Sequence, residues 1–213
     1  AVTRTLAGPA EAALIFDSTP FYAESGGQAG DRGFIRFEDG GEFIVDDTQK
    51  RAGALHVLVG RLKGGTLKPG AKATLEIDSG RRAKIRANHS ATHLLHAALR
   101  NVLGPHVAQK GSLVEADYFR FDFSHGAPMS ADEISRAEDE VNLIIRQNAE
   151  GVIKEMSPEK AIAEGALALF GEKYGESVRV LRLGDAIGGE AKAYSVELCG
   201  GTHVRRTGDI AVF

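Results

Sequence analysis

Up to about Gly80 the apolar positions come in short runs. ALIFDS, GFIRFE, EFIVDD, ALHVLVG and KATLEID cluster or alternate over six or seven residues, a pattern that fits strands rather than helices. Between them lie EDGG, QKRAG and KGGTLKPG, rich in the glycine and proline that mark turns. Five short strands in one stretch predict a small antiparallel β-barrel over residues 1–80.

From SGRRAKIR onward the period lengthens, and residues 81–213 form a second predicted domain. The run RANHSATHLLHAALRNVLG has helical spacing and ends at Gly104-Pro105, where a C-terminal glycine and a following proline stop a helix. LVEADYFRFDF reads as a strand. Ser130 with Glu133 three residues on is a capping box, with Met129 placed to staple onto Ile134. Ser157-Pro158 repeats the logic of a capping serine and a first-turn proline. SVRVLRL and AYSVEL read as strands. The expected architecture is an α+β sandwich, helices packed on one face of an antiparallel sheet.

Composition narrows the setting. The 213 residues are 43% apolar and 26% charged, ordinary for a folded domain. No apolar run approaches the roughly 20 residues of a membrane helix, and no signal-peptide pattern is present. A single cysteine, Cys199, rules out an internal disulfide framework and fits a reducing, cytoplasmic setting. The net charge of -3 means that any nucleic-acid contact is local. The chain opens without methionine, which points to a processed chain or a piece of a longer one.

The chemistry begins with histidine. At about 100° per residue, His89, His93, His96 and Arg100 fall in a sector of roughly 60°. Ala91, Leu94, Leu95, Ala98 and Val102 centre on the opposite side. Imidazoles four residues apart can share a metal ion, because one helical turn brings both rings to one side. Ser90 stands where a metalloprotease helix carries glutamate, so this helix brings no general base. The later CGGTH supplies Cys199 and His203 about a glycine turn that can aim both side chains at one point. Imidazoles and a thiolate together suit tetrahedral zinc. Geometry alone leaves His96 as a rival ligand.

Cations flank both halves of this constellation: Arg81, Arg82, Lys84 and Arg86 before it, Arg205 and Arg206 after it. On a net acidic chain such clusters suit phosphate neutralisation.

FYAESGGQAGDRG, NHSATHLLHAALRNVLGPHVAQKGSLV, RFDFSH, ALFGEKYG and CGGTHVRRTGDI run in one order along nearly the whole chain. Together they resemble the editing region of alanyl-tRNA synthetases, and the related freestanding AlaX-type proteins share its architecture. The loop here reads AESGGQ where the freestanding proteins usually read closer to PEGGGQ, which favours the synthetase. The resemblance implies hydrolysis of the ester that joins a wrong amino acid, serine or glycine, to tRNA for alanine. A pocket built for alanine cannot strongly reject glycine, or serine with its one added hydroxyl, so a second site must remove the errors. The resemblance also implies that His89, His93, Cys199 and His203 bind zinc, with His96 set aside. Gln28, with Gly26 and Gly27 giving a close backbone approach, would reach into the site and orient water or the ester carbonyl. Thr92 joins it as a catalytic candidate. Thr92, Gln109 and Ser112 would meet the serine hydroxyl or terminal ribose, and Arg81, Arg82, Arg205 and Arg206 the tRNA phosphates.

Four protein ligands leave zinc no open position. A ligand is displaced, the shell expands, or the ion positions substrate and shapes the pocket; the residues do not choose. No Asp or Glu lies inside either ligand motif, so no general base is evident. The resemblance covers no ATP-binding core, so this stretch is not expected to charge tRNA, and the family usually continues beyond TGDIAVF. Three functions follow: a cis-editing hydrolase region of the synthetase, a freestanding trans-editing deacylase, or a zinc-stabilised tRNA-binding module without catalysis.

Overall fold

A computed structural model describes residues 5–167, 175–188 and 193–213. The chain divides into two compact units, Ala1–Ser25 with Ala29–Arg82, and Gly26–Gln28 with Ala83–Phe213. The glycine-rich loop thus belongs to the second unit, although its flanks belong to the first.

The first unit is β. Its strands are β1 (Leu6–Ala7), β2 (Ala10–Leu14), β3 (Gly33–Phe37), β4 (Glu42–Arg51), β5 (Leu55–Gly64), β6 (Thr66–Leu67) and β7 (Ala73–Ile77). Alternation fixes the faces: along GFIRF, Gly33, Ile35 and Phe37 are buried while Phe34 and Arg36 are exposed. Ile35 and Phe37, with Phe21, Phe43, Val45, Leu58 and Leu62, form one apolar cluster. The pairing corrects the expected barrel. The antiparallel order is β2-β5-β4-β3-β7, with β1-β6 as a separate pair. Among the described residues β2 and β7 stay at opposite edges and do not pair, so the sheet is not closed. Strand pattern reports which face is apolar; closure depends on which edges meet, and no single strand encodes that.

The second unit mixes helices with antiparallel sheets. It contains α1 (Ser79–Leu103) from residue 83 on, then β8 (Gln109–Val114), β9 (Phe119–Phe123), α2 (Ala131–Arg146), β10 (Val152–Met156), α3 (Pro158–Ala163), β11 (Val178–Leu183) and β12 (Ser195–Leu198). A 3-10 turn follows at Thr207–Ile210. The run LVEADYFRFDF is not one strand but parts of two: β8 and β9 form a hairpin whose turn is closed by the Glu115 amide donating to the Tyr118 carbonyl at 3.0 Å. β10, β11 and β12 make a three-stranded sheet with β11 in the middle. Ala91, Leu94, Ala98 and Leu99 of α1 pack in one cluster with Val141, Ile144 and Ile145 of α2 and Leu181 and Leu183 of β11. The α2 capping box is present: the Ser130 hydroxyl accepts from the Glu133 amide, and the Glu133 carboxylate accepts from the Ser130 amide at 2.7 Å. Ser157 caps α3 ahead of Pro158, its hydroxyl accepting from the Lys160 amide at 3.3 Å. ALFGEKYG (168–175) lies, save for Gly175, outside the described residues.

Candidate metal centre

The helix α1 is buried on two sides. Its leucine stripe faces the core, and its histidine stripe is equally inaccessible: His89, His93 and His96 are 5%, 7% and 5% exposed. Imidazoles are seldom hidden without polar partners. Glu197 at the end of β12 and Cys199 just after it supply several of those partners. The Cys199 amide donates to the Arg179 carbonyl at 3.0 Å. The Arg179 guanidinium in turn donates to the carbonyls of Gly200 and Gly201 at 2.9 and 3.3 Å. A Cβ at Gly201 would collide with the His89 ring, so glycine is what lets this turn close over α1.

One ligand atom each from His89, His93, Cys199 and His203 lies within 4.8 Å of all the others. Cys199 Sγ is 3.5 Å from His89 Nε2 and 3.2 Å from His203 Nε2. The far side of each ring is anchored. His93 Nδ1 donates to Glu197 Oε2 at 2.8 Å, His89 Nδ1 sits 2.7 Å from Gln28 Oε1, and His203 Nδ1 sits 3.2 Å from Ser90 Oγ. With Nδ1 held in this way, each imidazole turns Nε2 inward, and His93 Nε2 is buried with no hydrogen-bond partner. Three inward nitrogens, a sulfur and a partnered outer ring atom on every histidine are the arrangement that a tetrahedral zinc ion needs. His96 is not in the set; its Nδ1 donates to the other Glu197 oxygen at 2.9 Å.

Charge is organised around the same carboxylate. Burial opposes ionisation of Glu197, but the neighbouring imidazolium of His93 and the bonds from both histidines outweigh it and hold the carboxyl down to about 2. Burial likewise opposes a charge on His93, yet Glu197 and Cys199 lift it to about 10. Cys199 lies well below its ordinary value: burial resists, and the His93 charge with the hydrogen bonds from His203 and His89 prevails. Burial is what pushes His203 down to about 4. The lowered Cys199 favours the thiolate, the form in which cysteine ligates metal.

The model of the family described as "tRNA synthetases class II (A)" matches residues 2–81, and that of the "Threonyl and Alanyl tRNA synthetase second additional domain" matches residues 178–213, which include Cys199 and His203. Alanine–tRNA ligase of Hyphomonas neptunium is 66% identical over 207 residues, 97% of this chain and 23% of that protein. The chain belongs to the alanyl-tRNA synthetase family. The ligase of Parvibaculum lavamentivorans is 61% identical over 95% of this chain and 23% of its own length. That of Granulibacter bethesdensis is 51% identical over the whole chain and 24% of its own length. The chain thus spans about a quarter of these alanyl-tRNA synthetases.

The other residues singled out from the alanyl-tRNA synthetase resemblance are placed as follows. Gly26 and Gly27 have positive φ, and a Cβ on Gly27 would strike the Ser112 carbonyl. Gln28 is fully buried and forms an isolated bridge with Val114. Thr92 is buried on α1, its hydroxyl donating to the Asn88 carbonyl at 2.8 Å. Gln109 and Ser112 lie half-buried on β8. Arg82 is in a buried ion pair with Asp31 and also donates to the Pro20 carbonyl at 2.9 Å, while Arg81 donates to the Gly30 carbonyl at 2.7 Å. Arg205 and Arg206 are exposed. Sequence reasoning missed Glu197 and Ser90 as partners of the ligands. Glu197 stands two residues before Cys199, outside the motif yet on the inward face of β12 with Ser195; a lone carboxylate in the apolar run AYSVEL was its signal. Ser90 reads in the sequence only as the absence of a glutamate.

Proposed function

We propose that this chain is the editing part of an alanyl-tRNA synthetase and hydrolyses the ester joining serine or glycine to tRNA(Ala), working in the cytoplasm on the acceptor end of the tRNA. The observation that carries the reading is the four-residue cluster itself. Two halves of the sequence more than 100 residues apart bring three imidazole nitrogens and a thiolate together, and the second half falls in the region shared with threonyl- and alanyl-tRNA synthetases. Zinc bound there supplies a positive centre beside which an ester carbonyl or an amino group can be oriented.

The chain's own residues do the remainder. Glu197, held ionised, fixes His93 and His96 and keeps the ligand face of His93 directed inward. Burial of the imidazoles excludes bulk water and strengthens each polar contact to the substrate. Thr92, Gln109 and Ser112 lie on α1 and β8 for contact with the serine hydroxyl or terminal ribose. Arg205 and Arg206, directly after the ligand turn, meet phosphate. In the reaction water adds across the ester, the acyl–oxygen bond breaks, and a free amino acid leaves with the ribose hydroxyl restored.

The test is direct. The chain, loaded with zinc, is incubated with seryl-, glycyl- and alanyl-tRNA(Ala), and release of the amino acid is followed. Serine and glycine are released much faster than alanine on this account. Binding of tRNA with every ester left intact would favour a zinc-stabilised tRNA-binding module without catalysis.

A further inference from the structure

We infer that Gln28 is a positioning residue for the metal centre, its amide oxygen holding His89 in its ligating tautomer rather than accepting from the substrate. The inference rests on reading the His–Cys cluster as a metal site. It departs from the sequence-based expectation, in which Gln28 orients water or the ester carbonyl and its loss leaves zinc untouched.

The orientation of the amide is decided by its neighbours. The Thr202 backbone N–H lies 2.8 Å from one amide atom of Gln28 and can only donate, so that atom is the oxygen. The same oxygen is 2.7 Å from His89 Nδ1, which must then carry a proton. An imidazole protonated on Nδ1 has its lone pair on Nε2, the atom that faces Cys199. At the other end of the amide, Nε2 of Gln28 donates to Thr202 Oγ1 at 2.9 Å. An amide oxygen has two lone pairs, and His89 and Thr202 occupy both. None is left for a substrate proton.

The surrounding backbone is shaped for this contact. The Gly27 carbonyl accepts from the Val114 amide at 2.7 Å, which seats the loop on β8. A Cβ on Gly27 would strike Ser112, and one on Gly201 would strike the His89 ring. Gly27 of SGGQ and Gly201 of CGGT therefore serve one imidazole between them. Loss of a partner that orients a metal-bound histidine typically weakens metal affinity by roughly 10- to 100-fold.

The test compares Q28M, which fills nearly the same space without an acceptor, with Q28E, which keeps one. Zinc dissociation constants are measured by competition with a chromophoric chelator, and the geometry of the site by the visible absorption of the cobalt-substituted chain. Expected is a roughly 10- to 100-fold weaker zinc affinity and an altered cobalt spectrum for Q28M, with Q28E within about threefold of the parent. Parent-like affinity and spectrum in Q28M, or a loss in Q28E as large as in Q28M, overturns the proposal. If circular dichroism shows that Q28M does not fold, Q28E decides alone: retained zinc supports the proposal and lost zinc overturns it. Because both readouts concern the metal, they stand even if the chain proves unable to hydrolyse seryl-tRNA(Ala).

Discussion

Glu197 has two carboxylate oxygens and gives one to each of two histidines, of which only one is placed to hold metal. That division yields a prediction. Substituting His93 or Cys199 with alanine should bring zinc content near zero, whereas His96→Ala should leave it in place, since Glu197 still holds His93. Equal loss from His96→Ala, by elemental analysis of the purified chain, would mean that the wrong histidine had been set aside. A second prediction concerns protons. In the metal-free pocket His93 is held up to about 10, so at pH 7 it carries a proton that a metal must displace. His203, at about 4, has none to give there. Zinc uptake at pH 7 should release the His93 proton, and affinity should climb as pH rises toward about 10. Calorimetry in two buffers of different ionisation heat measures the release; uptake without it would contradict the charge assignment.

At the scale of elements, local signals carried far. The alternation of GFIRFE and EFIVDD gave β3 and the first part of β4, and Ser130 with Glu133 marked the start of α2. These are contests settled within a few residues. LVEADYFRFDF misled because its polar centre, Glu115 to Asp117, is a hairpin tip rather than the outward face of one long strand. β10 was missed because VIKEM is mostly exposed and offers no apolar stripe to read. A His–Cys cluster was legible because histidine and cysteine are rare and closely spaced within each motif, although spacing left His96 as a rival that only the resemblance set aside. The outer partners were not legible as such, because Gln28, Ser90 and Glu197 are ordinary residues until the fold brings them to a ring. A cap so clear in sequence should matter in energy. Ser130→Ala is expected to cost about 1 kcal/mol, by loss of the bond to the Glu133 amide. Denaturant unfolding of the zinc-loaded chain reads it, and an unchanged midpoint would show that the cap contributes nothing.

For the molecule as a whole, a net charge of -3 means that the proposed contact with tRNA is local. The four arginines proposed to meet tRNA phosphates are not equivalent. Arg82 is buried against Asp31, so neutralising it should destabilise by about 3–5 kcal/mol, the usual cost of stranding half of a buried pair. Arg205 and Arg206 are exposed beside the ligand turn. Neutralising those two should weaken tRNA binding and flatten its salt dependence, by about 0.9 in slope for each duplex-like phosphate that no longer meets a cation. An unchanged slope would reduce them to solvated side chains. The central claim is that hydrolysis depends on the His–Cys cluster holding metal, and one titration tests it most directly. Metal-free chain is given increasing zinc while the release of serine from seryl-tRNA(Ala) is timed at each step. The account predicts no release at the start and a rate that rises with occupancy and levels off at about one zinc per chain; full activity in the metal-free chain, insensitive to added zinc, would contradict it.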